Sequence, residues 1–144
     1  MTSRQYRDTP VDVRAVLCAL WITMLFTFAY VDIFGFYRAD VLDAALDGRV
    51  ATTAFAVDQM FLTATLVYVL PSILMVVLTL VLAPRVNRVV NIVVSALYLI
   101  TIAVSCVGET WVYYLLGSLV EVVLLVVIAR AAWRWPVVTR PALS

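Results

Sequence analysis

The chain has 144 residues, of which 65% are hydrophobic and 13% charged; its net charge is +1 and its mean hydropathy +1.08. Soluble domains average roughly 45–50% apolar and about 25% charged residues, so the bilayer is the solvent here, and the length admits about four spans of ~20 residues and no soluble catalytic or nucleic-acid-binding domain. Histidine and lysine are absent, and Cys18 and Cys106 form no C-x-x-C pair; imidazole ligation of haem or metal, a histidine base, a lysine Schiff base and thiol redox chemistry all fall away, so a protein that is not an enzyme and carries no cofactor or metal is expected.

Arg4, Arg7 and Arg14 precede the first apolar stretch, residues 15–36. That stretch is longer than the 7–15 residues of a signal-peptide core and lacks a small-x-small cleavage site, so it reads as an uncleaved anchor. The loop that follows holds Arg38 and Arg49 with Asp40, Asp43 and Asp47. Asp40 and Asp43 suit a helix N-terminus, Val41, Leu42, Ala45 and Leu46 fall on one side, and Gly48 ends the turn, which predicts a short amphipathic helix on the outer membrane surface. It serves either as a lid over a cavity mouth or as a connector resting among headgroups.

The second stretch, residues 60–83, contains Pro71, expected to kink it, with Ser72 beside it to satisfy freed backbone. Asp58, Thr65, Ser72 and Thr79 recur every seven residues, with Tyr68 on the same face. Arg85 and Arg88 separate it from the third stretch, residues 89–107, whose polar positions are Asn91, Ser95, Tyr98 and Ser105. A turn with Gly108 and Glu109 leads to the fourth, residues 111–132, followed by Arg130, Arg134 and Arg140. The runs are continuous rather than alternating, which excludes a barrel. The fold class is therefore all-α, a four-helix transmembrane bundle with a short amphipathic helix in the outer loop between spans one and two, one domain over residues 1–144. Eight arginines on one side against two on the other place both termini in the cytoplasm of a bacterial inner-membrane protein. Cys18 and Cys106 then lie near opposite faces, too far apart to bridge. Aromatic belts are expected at Trp111, Tyr113 and Tyr114 outside and at Trp133 and Trp135 inside.

Glu121 stands out, because it lies in an unbroken apolar run with no cation to pair with. A carboxyl group at that depth holds its proton or bears its charge at a cost of about 2.5–3.5 kcal/mol, so it belongs to a function or to a hydrogen-bonded core. Counting at ~1.5 Å per residue places Glu121, Ser118, Tyr98, Tyr68, Ser72 and Thr23 in one midplane layer. On span one, Thr23, Thr27 and Tyr30 lead to Asp32 along a face expected to look inward. The tyrosine and serine hydroxyls are candidate partners for the acid. Asp32, Asp58 and Glu109 form a second candidate, a negative outer rim.

The segment from Trp21 through Tyr30, Val31, Asp32 and Ile33, the mid-span Pro71, the run Asn87-Arg88-Val89-Val90-Asn91-Ile92, and Tyr113-Tyr114 with Glu121 and Ala132-Trp133-Arg134-Trp135 resemble an uncharacterised family of small four-helix bacterial integral membrane proteins, domain of unknown function 6326. The similarity extends from about Val13 to Trp135. It implies the four-span fold and no activity. Members often carry an acid just before the span-two proline, where this chain has Val69 and Leu70; an activity that needs that acid is one this chain lacks. Two functions fit the residues. One is binding or proton-linked transport of a small or lipophilic solute through the polar midplane layer, as a lone chain or a homo-oligomer; the other is a structural or accessory subunit packed against a membrane-protein partner.

Overall fold

The computed structural model describes residues 11–135 apart from 52 and 54. Arg4, Arg7 and Arg140, which enter the charge asymmetry, lie outside the described residues. Five helices follow in order: α1 Val13–Gly35, α2 Ala39–Leu46, α3 Gln59–Val81, α4 Pro84–Ser105 and α5 Val112–Trp133. The four long ones have 22 or 23 residues, each apolar enough and long enough to cross a membrane. Among the described residues there is no named strand, only an isolated bridge between Arg49 and Ala56. The chain is thus the all-helical, multi-pass bundle its composition predicts.

Each boundary has a local cause. Asp12 caps α1 by accepting from Arg14 N at 2.7 Å, and Asp58 caps α3 by accepting from Phe61 N at 2.8 Å. Gly48 closes α2 at φ +71°, a conformation that disfavours other residues. Asp40 does not cap that helix, because Arg38 holds the N-cap position and Asp40 in the first turn is drawn into an ion pair with it. Span three starts at Pro84, earlier than residue 89, since a proline at the first helical position lacks only an N–H that would have no partner there. Arg85 and Arg88 therefore belong to the first turns of α4. Only Leu82 and Ala83 link α3 to α4.

The long helices run antiparallel in sequence, so Arg14, Arg85, Arg88, Arg130 and Arg134 gather at one end of the bundle and α2, Arg38 and Arg49 at the other. Cys18 and Cys106 are both free and lie toward opposite ends. Helix α1 packs along α3 and α5, and α5 along α4, whereas α3 and α4 touch only lightly. Where α1 meets α5, Gly117 faces Val31 with no room for a side chain.

The arginine-end half is filled. Leu17, Trp21 and Met24 of α1 meet Met75 and Thr79 of α3, Asn87, Asn91 and Ser95 of α4, and Leu125, Ile128 and Ala132 of α5, all essentially inaccessible. Buried polar groups need partners in so dry a setting, and they have them. Trp21 Nε1 donates to Asn91 Oδ1 at 2.8 Å, Asn91 Nδ2 donates to Asn87 O and Oδ1 at 2.9 and 2.7 Å, and Asn87 Nδ2 donates to Thr79 O at 2.6 Å. Arg14 ties the same end together by donating to Leu80 O at 2.7 Å. Most large apolar side chains on the outward faces are exposed, as a lipid-facing surface requires.

Candidate functional site

The α2-end half is hollow. A cavity of about 320 Å³ lies among all four long helices. Asp32 and Phe28 reach it from α1, Thr65 and Tyr68 from α3, Thr101 and Ser105 from α4, and Tyr114, Ser118 and Glu121 from α5. These positions all fall in the halves of their helices nearer α2. Glu121 is 4% exposed, and its Oε1 is buried without a hydrogen-bond partner. No arginine is among the lining residues, so the cavity concentrates two acids with no opposing cation.

An aromatic layer separates this hollow from the packed half. The Tyr98 ring lies 5.2 Å from that of Tyr68, 5.8 Å from Phe28 and 6.3 Å from Trp21. Its hydroxyl donates to Tyr68 O and accepts from Ser72 N at 3.3 Å. In a regular α-helix those two backbone groups pair with each other, so Tyr98 of α4 supports α3 where Pro71 weakens the ladder. The Tyr68 hydroxyl in turn meets Thr101 Oγ1 at 2.7 Å, spanning the α3–α4 seam. These two bulky rings fill the space between α3 and α4, which is why helices joined by two residues touch so little.

The sequence-derived midplane layer is thus divided. Glu121, Tyr68 and Ser118 share the cavity. Tyr98 and Ser72 are buried beside Pro71 and satisfied by α3 backbone, with Ser72 Oγ donating to Val69 O at 2.7 Å. Thr23 lies outside the site. It is exposed in an outward groove between α1 and α5 with Thr27 and Tyr30, so that stripe does not look inward. Thr23 donates to Ala19 O at 2.9 Å and Thr27 to Thr23 O at 3.0 Å, and a hydroxyl satisfied by its own helix faces lipid at little cost. The inward face of α1 belongs to Leu17, Trp21 and Met24.

The three acids of the expected rim part company as well. Asp58 is spent on the α3 cap. Glu109 Oε1 accepts from Thr110 N and Trp111 N at 2.8 and 3.0 Å, and its Oε2 meets Arg38 Nη1 at 3.2 Å. Arg38 also pairs with Asp40 at 2.7 Å and lies 4.5 Å from the centre of the Trp111 ring, clasping the start of α2 to the α4–α5 turn. Backbone N–H groups, that of Trp111 foremost, and then Arg38 hold Glu109 below the usual carboxylate range. Arg38 does the same for Asp40, and the guanidinium is itself held above its ordinary range, chiefly by Asp40. With both carboxyls depressed on folding, the clasp is at full strength above the unfolded range of about 3.9–4.3 and is lost as pH falls through the lower folded-state values. Only Asp32 of the three remains, and it lines the cavity.

Asp32 also borders two further spaces. A vestibule of about 490 Å³ lies beneath α2, where Val41 and Ala45 face Phe61 and Tyr113; it shares Asp32, Thr65 and Tyr114 with the central cavity. An apolar groove of about 700 Å³ runs down the outside of α1 and α3 past Ile22, Phe26, Ile73 and Val77, and shares Phe28, Asp32 and Val69 with the cavity. The arrangement can hold protons or cations at two carboxyls, beside rings and hydroxyls, with a vestibule under α2 and an outward groove that share its wall residues.

No curated protein and no solved structure matches the chain. The family model for DUF6326, a family of unknown function, matches residues 9–139, nearly the whole length, and the protein, a multi-pass helical bundle, belongs to that family.

Proposed function

We propose that this protein binds a small or lipophilic solute in the α2-end cavity and couples its passage across the bilayer to a proton carried by Glu121. The observation that carries the reading is the Glu121 carboxyl, which lines the cavity beside Asp32 and is buried with its Oε1 unpartnered. A packing acid would have its oxygens bonded to neighbours; the hydroxyls of Tyr98, Ser72 and Tyr68 are engaged elsewhere, and Ser118 and Tyr114, on the same cavity wall, make no hydrogen bond to Glu121 Oε1. At about 30 Å³ per water, 320 Å³ has room for roughly ten waters or a small organic group, within the range of ligand pockets. One end hollow and the other packed is the asymmetry of a bundle open to one side, as a carrier must be in each half of its cycle.

The protein resides in the bacterial inner membrane with both termini cytoplasmic and α2 outside, a reading supported by Arg38 and Arg49 standing against eight arginines at the other end and in the termini. A periplasmic reporter fused after Ser144 is expected to be silent, and one inserted near Asp43 active; the reverse pattern overturns this orientation.

The proton link is tested in proteoliposomes by infrared titration of the carboxylic-acid band together with flux driven by an imposed pH gradient. Wild type is expected to lose a buried acid band as pH rises and to show gradient-driven flux. Glu121→Gln preserves size and hydrogen-bonding capacity, and is expected to fold with stability within about 1 kcal/mol of wild type while losing both responses. Equal pH responses in wild type and variant, or an acid band that no pH change reaches, refute the reading in favour of an acid that serves packing alone.

A further inference from the structure

Resting on the reading above, we infer that the solute is an amphipathic monocation, an ammonium head with an apolar chain, whose head lies between Asp32 and Glu121 and whose chain lies in the groove between α1 and α3. Charge carries the first step. The cavity presents two carboxyl groups, one with a buried unpartnered oxygen, and no cation among its lining residues. Arg38 and Arg49, which line the neighbouring vestibule, are occupied, Arg38 by Asp40 and Glu109 and Arg49 by Asp47. An anion has no cation to meet in this lining, and a zwitterion would bring a further negative group beside the two carboxyls.

The walls decide what kind of cation. A hard metal ion needs six to eight converging oxygens, or an octahedron of them. Here Asp32 and Glu121 are the only charged oxygen ligands in the lining, the Tyr68 and Thr101 hydroxyls are bonded to each other, and no cluster of three metal-ligating side chains occurs among the described residues. An organic ammonium needs one counter-charge and polarisable surface, and the rings of Phe28, Tyr68 and Tyr114 stand around the acids to supply it. Size then separates head from chain. Some 320 Å³ accommodates a trimethylammonium group, not a long alkyl chain as well. The adjoining groove is apolar, faces lipid, and meets the cavity at Phe28, Val69 and Asp32, so a head at Asp32 leaves its chain against Ile73 and Val77. A solute of this shape arrives from the bilayer, where its chain already resides.

The exchange balances in charge. When Glu121 holds a proton, binding of one monocation releases that proton to the vestibule and leaves the net charge of the cavity unchanged. The titratable groups facing Glu121 are Asp32 from α1, Tyr68 from α3 and Tyr114 from its own helix; α4 presents Thr101 and Ser105, and its Tyr98 is committed to α3 backbone. Apparent affinity for the cation should therefore rise as pH rises, by up to tenfold per pH unit while Glu121 remains protonated.

The test is calorimetry on wild type in nanodiscs of uncharged lipid, with empty nanodiscs as the partition control. The probes are octyltrimethylammonium, its uncharged carbon analogue, octyl sulfate and tetramethylammonium. Octyltrimethylammonium is expected to bind saturably, at least ~10-fold more tightly than the other three, with one proton released per molecule. In Glu121→Gln the proton release and the pH dependence should vanish, and Val77→Trp, which fills the groove, should weaken the octyl compound and leave tetramethylammonium unaffected. Equal affinity for the uncharged analogue removes the charge argument, and equal affinity for tetramethylammonium removes the groove. If the infrared band of Glu121 still titrates while no cation binds, this solute class is wrong and the proton-linked reading stands; if the band is silent, both fall.

Discussion

Gly117→Val is expected to be the most damaging single substitution in the bundle. A Cβ built at Gly117 falls 2.3 Å from Val31 Cγ2, well inside contact distance, across the α1–α5 interface. Val31 cannot turn away, because a β-branched side chain in a helix has essentially one χ1 rotamer. Gly→Ala within a helix gains up to ~1 kcal/mol of backbone propensity, but overpacking of this kind costs about 1–3 kcal/mol, so even Gly117→Ala should be net destabilising and valine more so. Small residues at membrane-helix interfaces serve this close approach. Thermal unfolding in mild detergent should show a loss of at least ~2 kcal/mol for Gly117→Val, or failure to fold. Val31→Ala should restore most of the loss suffered by Gly117→Ala, giving a large coupling energy in the double-mutant cycle. Independent, additive effects at the two positions would show that the helices do not meet there.

Asn91→Leu should rank second, through the packed half rather than the hollow one. Asn91 accepts from Trp21 Nε1 and donates twice to Asn87, which itself reaches Thr79 O on α3. Leucine has a similar size and makes none of these bonds. Three bonds at the ~0.6 kcal/mol average for membrane proteins come to roughly 2 kcal/mol, and the indole N–H left unpartnered among apolar neighbours raises the loss to about 3–4 kcal/mol. The fluorescence of Trp21, buried beside Tyr98, should change along with stability, although the other tryptophans must first be replaced by phenylalanine. A variant as stable as wild type would mean that the asparagine chain holds nothing together. Because this network is remote from the cavity, Asn91→Leu is also a control: it should lower stability and leave the proton response of Glu121 intact in whatever fraction folds.

Much of this architecture is written in the chain itself, because in a bilayer hydropathy and backbone satisfaction leave few alternatives. Four continuous apolar runs become four helices, Gly48 ends α2, and Glu121 is conspicuous as an acid amid valine and leucine. The start of α4 was obscured by Arg85 and Arg88, which look like loop residues; charged side chains at a helix end reach the interface without breaking the helix that Pro84 begins. What the sequence leaves open is which arc of each helix turns inward. Thr23 and Thr27 look like an interior stripe, yet bonds to their own helix let them face outward, while Trp21 turns inward because Asn91, seventy residues away, awaits its N–H. Asp32 reads as a rim acid when its depth is counted along one helix. Its place on the cavity wall opposite Glu121, at the meeting point of vestibule and groove, is decided by how four helices cross. The hollow itself exists only in three dimensions: Tyr98 is drawn to the backbone around Pro71, Tyr68 to Thr101, and with those hydroxyls committed Glu121 lines the space with its Oε1 buried and unpartnered.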